Sequence, residues 1–131
     1  MSFYYGTTVN GDFESVVEKV SAELQKEGFG VLANIDIQGA LKKKLGVDFR
    51  KYRILGACNP PFAIQALAVE DKIGTMLPCN VVLQEIADGK VEVAAVNPVQ
   101  SMIGVGNDEL LKIAEQIGEK LQRAIQALSK S

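Results

Sequence analysis

The sequence predicts an α+β domain built on one largely antiparallel sheet, with both long helices on the same face. Three observations carry that expectation. Two long stretches, one toward each end of the chain, repeat apolar residues at the helical period. Around and between them lie short runs of strand length, rich in β-branched residues or alternating in polarity. The last two of these runs are joined through Asp88-Gly89, a hairpin signal that makes at least that pair antiparallel. The 131 residues, 47% hydrophobic and 23% charged, suit a single domain over 1–131 with a real core.

Residues 2–9 are rich in β-branched and aromatic side chains and end at the turn signal Asn10-Gly11, so they predict a strand. Asp12 then caps a helix whose apolar positions are Phe13, Val16, Val17, Val20 and Leu24, and Gly28 stands where a helix C-terminal glycine belongs. Residues 31–37 resume a strand. Asp36 can cap a short helix over 39–45, which Gly46 closes. Residues 52–58 form the next strand. Pro60 and Pro61 suit the first turn of a helix that runs over 62–69. Strands follow at 81–86 and 91–96. From Asn107 a last helix extends to about Leu128, with Asp108 and Glu109 at its positive end. The order is β-α-β-(short α)-β-α-β-β-α, without linker or repeat.

The last helix carries a second message. Leu110, Ala114, Ile117, Leu121, Ala124 and Leu128 step at heptad-like spacing, and Leu111, Ile113 and Ile125 widen the stripe. Either all of it packs on the chain's own sheet, or part of it meets a second copy. No element in this order covers the sheet's other face, and Gly118 offers a close-approach point for another backbone. The expectation is a homodimer or larger assembly.

Composition excludes several classes. A formal net charge of -2 and 6% aromatic residues argue against general nucleic-acid binding. No stretch approaches the ~20 apolar residues of a membrane span. The start, Met1-Ser2-Phe3-Tyr4-Tyr5, lacks the basic and apolar regions of a secretory signal, and two cysteines are too few for a secreted disulfide framework. A cytoplasmic protein with reduced thiols is expected. There is no His, which removes the commonest general base and the commonest metal ligand, so no metal or cofactor is called for.

In the middle of the chain, Ile35-Asp36, the turn from Gly56 through Asn59-Pro60, and Leu77-Pro78 before a strand form a recognisable set. With these motifs the chain resembles the uncharacterised prokaryotic family called domain of unknown function 302, over nearly its whole length. The resemblance implies a fold like that of the TATA-binding protein, β-α-β4-α, with one curved, mainly antiparallel sheet. It implies no established activity, substrate or cofactor, and a shared fold is no warrant for DNA binding. Many relatives carry a His just after the Asp of the Ile-Asp pair. Here that position is Ile37, so no role of that His carries over.

Chemistry is best sought where two similar tetrapeptides stand. Cys58-Asn59-Pro60-Pro61 leaves one strand and Leu77-Pro78-Cys79-Asn80 enters the next, each setting a thiol and a carboxamide beside a proline. If the helix between them returns the chain alongside the previous strand, Cys58, Asn59, Cys79 and Asn80 lie together at one edge of the sheet, with the two Cα atoms on the order of 10 Å apart or less. Free cysteines are mostly small buried hydrophobes, and Asn beside Pro mostly satisfies its own turn. As site residues, the thiols are nucleophiles or soft-metal ligands, and the carboxamides donate to and accept from a polar ligand. Asp36 reads as a helix cap or a ligand carboxylate. Arg53, in a strand, can offer a bidentate fork to an anion. Lys42, Lys43 and Lys44 with Arg50, Lys51 and Arg53 form a basic cluster that reads as a solvated face or as steering for an anionic ligand.

Three function classes follow. The first is a homo-oligomeric module that binds a small polar ligand or a protein partner near the Cys58 and Cys79 turns. The second is a thiol-dependent enzyme or sulfur carrier using Cys58 or Cys79. The third, a nucleic-acid binder, rests only on fold and the basic run.

Overall fold

The structure, a computed structural model, describes residues 2–129. Its elements are β1 (Tyr4–Asn10), α1 (Phe13–Lys26), β2 (Gly30–Asp36), α2 (Ile37–Leu45), β3 (Tyr52–Cys58), α3 (Pro60–Val69), β4 (Cys79–Ala87), β5 (Lys90–Val96), α4 (Pro98–Met102) and α5 (Asp108–Leu128). Short 3-10 turns at Asp71–Met76 and Ile103–Val105 complete the connections. The strands form one open sheet in the order β1-β5-β4-β3-β2, and every neighbouring pair is antiparallel. Without the short helices this is β-α-β4-α, the α+β order expected.

Local chemistry explains the boundaries. Asp12 accepts a hydrogen bond from the Ser15 N–H at 3.2 Å and starts α1, and Gly28, at φ +89°, ends it in the left-handed region that glycine tolerates. Asn107 Oδ1 accepts from the Leu110 N–H at 3.1 Å and starts α5, while its Nδ2 donates to the Val69 carbonyl at 3.1 Å and ties down the end of α3. Ile37, expected as the last strand residue, is instead the first residue of α2. Asp36 ends β2 and caps α2 at once, accepting from the Gly39 N–H at 3.0 Å, so no loop separates them.

Alternation then divides the sheet. Val81 and Leu83 of β4 and Val91, Val93 and Ala95 of β5 are fully buried toward the helices, against Phe13, Val16, Val20 and Leu24 of α1. The broad stripe of α5, from Leu110 to Leu128, is buried within the chain itself. Of the stripe, Leu111 alone is half-buried. Gly118 has an internal reason as well: a Cβ there would sit 3.1 Å from the Tyr5 hydroxyl oxygen and 3.5 Å from Pro98, so its space is already filled. Among the described residues no helix lies over the opposite face of the sheet, whose Asn80, Val82, Ala94 and Val96 are half-buried or exposed. No helix among the described residues is long and apolar enough to cross a membrane.

Lys42, Lys43 and Lys44 lie exposed in the last turn of α2, where only Lys42 makes an ion pair, with Asp48 at 2.9 Å. Replacing all three by Gln is expected to change stability by no more than about 0.5 kcal/mol, apart from a small loss of charge at the helix C-terminus. A thermal melt checks this.

Candidate functional site

β3 runs out at Cys58, and Asn59 opens α3 with Pro60 and Pro61 in its first turn. The 3-10 turn at Asp71–Met76 brings the chain back through Leu77 and Pro78 to β4, which begins at Cys79. Cys79 pairs with Ala57, the residue before Cys58, so the thiols stand at the same end of neighbouring strands. That is an end of the sheet and not an edge, because β4 is the central strand and β1 and β2 are the edges. Cys58, Asn59 and Cys79 line one pocket of about 190 Å³, whose remaining walls are mainly apolar, among them Phe29, Leu67 and Leu77.

The two cysteines differ. Cys79 is buried and Cys58 is half-buried. Burial, with a smaller contribution from Cys58 beside it, pushes the Cys79 thiol up to about 12 from its ordinary value of 9.0. It keeps its proton at neutral pH, and the thiolate is the nucleophile. Iodoacetamide is therefore expected to modify Cys58 in the native protein and Cys79 only after unfolding, as peptide mapping would reveal. The same shift has a consequence for stability. The folded value lies above the unfolded one, so the stabilisation is fully present below about pH 9 and is lost as pH rises toward 12. Measured against Cys79→Ala, the wild type should lose stability faster in that window.

Asn59 does not cap its own helix. The first two positions of α3 are prolines without N–H groups, and the N–H of Phe62 is taken by the Asn59 backbone carbonyl at 3.1 Å. The side chain is thus free to turn back, and its Nδ2 donates to the Glu27 carbonyl at the end of α1 at 3.1 Å. A buried carboxamide that looked like a local turn residue is a tertiary link between α1 and α3.

The other expected residues separate from this pocket. Asn80, the next residue after Cys79, points to the opposite face of the sheet, as strand alternation requires. Asp36 and Arg53 are direct partners across β2 and β3, yet Asp36 caps α2. Arg53 faces α1, where its Nη2 donates to Glu14 at 2.6 Å and its guanidinium lies 5.4 Å from the centre of the Phe13 ring. Its Nε is buried without a partner. Neither residue reaches the pocket.

A second hollow, about 360 Å³, lies on the uncovered face of the sheet. Val82, Ala94, Tyr4, Tyr52 and Asn80 are among the residues that line it. Along one side, Arg50 Nε donates to Gln84 Oε1 at 2.7 Å, and Gln84 Nε2 donates to Glu92 Oε1 at 2.8 Å. Sequence reasoning missed this row. The alternation of Gln84 and Glu92 with buried neighbours marked their face, but only the strand register sets them side by side.

The comparisons with known proteins agree with this architecture. A crystal structure of the uncharacterized conserved protein DUF302 from Bacillus stearothermophilus matches with a TM-score of 0.88 and 28% sequence identity, covering 96% of this chain and 98% of that chain. No curated protein matches. Residues 5–128, which span both long helices and all of the sheet except Tyr4, match the family described as Domain of unknown function DUF302. The chain belongs to the DUF302 family.

Proposed function

We propose that this domain is a self-associating binding module whose ligand site is the pocket beside Cys58 and Cys79. The observation that carries the reading is the pocket itself, a preformed space of about 190 Å³ under α3 at the end of the central strands. Its size is near that of apolar cavities of roughly 150 Å³ that take up a benzene-sized ring. Its lining shifts the ligand from the polar molecule suggested by the two asparagines to a small, mainly apolar one. Asn59 spends its amide on Glu27, and Asn80 is on the other face. Binding is favoured over thiol chemistry because Cys79 retains its proton and the chain has no His to serve as base.

The test uses toluene as probe, followed by amide chemical shifts. Shifts centred on Cys58, Leu67 and Leu77, with slower alkylation of Cys58, are expected. Ala63, half-buried in the pocket wall, is the control: Ala63→Phe should fill the space and remove both effects. Shifts elsewhere, or unchanged in that variant, would refute the site.

A further inference from the structure

We infer that the uncovered face of the sheet is where two copies of this chain meet, related by a two-fold axis running along β4. This rests on the reading of the domain as a self-associating module and adds the surface and its geometry.

The strand register arranges the face in three rows across the sheet. The first is Thr8, Glu92, Gln84 and Tyr52, the second Gly6, Ala94, Val82, Ile54 and Ile35, and the third Tyr4, Val96, Asn80, Gly56 and Ala33. Large apolar side chains are left open here: Tyr4 is 42% and Ile35 48% exposed. Such a patch, rimmed by polar groups, marks an interaction surface. Five strands about 4.8 Å apart and ~20 Å of usable length give a footprint on the order of 500 Å² per copy, near the lower bound for a specific interface.

The face complements itself in size and charge. Rotation about β4 lays β5 of one copy over β3 of the other, and β1 over β2. Ala94 then meets Ile54, small against large, and Ile35 meets the Tyr4 ring, which lies over Gly6 within the chain, a Cβ at Gly6 being 3.0 Å from its Cε2. Gln84 and Asn80 meet their own copies, and carboxamides pair with themselves because each donates and accepts. Glu92 of one copy comes opposite Tyr52 and the neighbouring Arg50 of the other. The alternative axis, across the strands, sets Glu92 against Val96 and drives Tyr52 onto Gly56. The space above Gly56 is already taken, since a Cβ there would lie 2.8 Å from the Pro78 ring. The crowding at Gly56 and the setting of Glu92 against Val96 disfavour the alternative and select the axis along β4.

The experiment is a charge exchange read by light scattering. The wild type should have twice the 14.1 kDa mass of the chain. Glu92→Arg sets Arg against Arg50 twice in a homodimer, and Arg50→Glu sets Glu against Glu92 twice, so each variant alone should fall to the single-chain mass. Mixed in equal amounts, the two variants should recover the dimer, because both contacts are then of opposite charge. Arg50 is exposed and Glu92 half-buried, and unchanged circular dichroism would verify folding. Val82→Cys in a Cys58→Ser background, placed on the axis, should cross-link through a short bis-maleimide. A wild type at the single-chain mass overturns self-association and the interface together. Single variants that remain dimeric overturn the interface alone, and a mixture that stays monomeric or an absent cross-link overturns the axis. Toluene binding reads the pocket separately.

Discussion

Leu83→Ala is expected to destabilise the domain by about 3 kcal/mol, within the range of roughly 2–5 kcal/mol for truncating a buried Leu. Leu83 is fully buried in the central strand, with Arg53 and Val93 as its neighbours across the two ladders. The cost reaches that level because the site cannot collapse. Strands hydrogen-bonded on both sides hold the backbone of β4, and α1 closes the core above it. Part of the lost side chain thus remains as a cavity whose walls have no partner atoms. At this chain length the loss corresponds to a fall in melting temperature on the order of 10 °C. Leu67→Ala is the comparison: Leu67 is 44% exposed on α3 and should cost less than about 1 kcal/mol. Urea melts of both variants measure the difference, and equal losses would contradict the account of the core.

Asn59→Asp is expected to cost about as much, for an electrostatic reason. Asn59 is 7% exposed and its amide N–H group meets the Glu27 carbonyl oxygen. A carboxylate there is desolvated and faces an acceptor, and an uncompensated buried charge costs roughly 3 kcal/mol or more. The effect has a pH signature. Burial and the facing carbonyl raise the introduced carboxyl above its unfolded value of about 3.9, since the protonated form can still donate. Its stability is therefore retained below that value and lost as pH rises through the folded one. Asn59→Ala removes the hydrogen bond without adding a charge, and should cost about 1–3 kcal/mol at every pH. Melting curves of the two variants from mild acid to neutrality should diverge. Parallel curves would mean that Asn59 does not hold the end of α1.

Much of the fold was legible because its signals are local. The caps Asp12, Asp36 and Asn107 each act through a hydrogen bond to the N–H three residues on, and all three were readable from their positions before helical periodicity. The Asp88-Gly89 hairpin was equally plain, with Gly89 at φ +73°. Boundaries slipped where one residue serves two elements, as Asp36 does for β2 and α2. The 3-10 turns and α4 were missed, since runs of three to six residues carry too little periodicity to read.

The site was only half legible. That Cys58 and Cys79 come together followed from chain connectivity, and their shared pocket under α3 agrees with it. The matching tetrapeptides also suggested that Asn59 and Asn80 belong together. In space one holds the end of α1 and the other faces away from the pocket, because a single residue step along a strand reverses the side chain. Arg53, read as a free fork for an anion, is held by Glu14 from a helix far away in sequence.

The sequence by itself determined the element order, the helix caps, the hairpin and which stretches are apolar, since periodicity and capping depend on residues a few positions apart. Only the tertiary structure decided what the α5 stripe packs against, which face of the sheet stays open, and which polar side chains meet. Those outcomes depend on strand order and register, where shifting a pairing by one residue exchanges the two faces. No local pattern encodes that Gln84 lies between Arg50 and Glu92, because three segments separated in the chain must first be laid side by side.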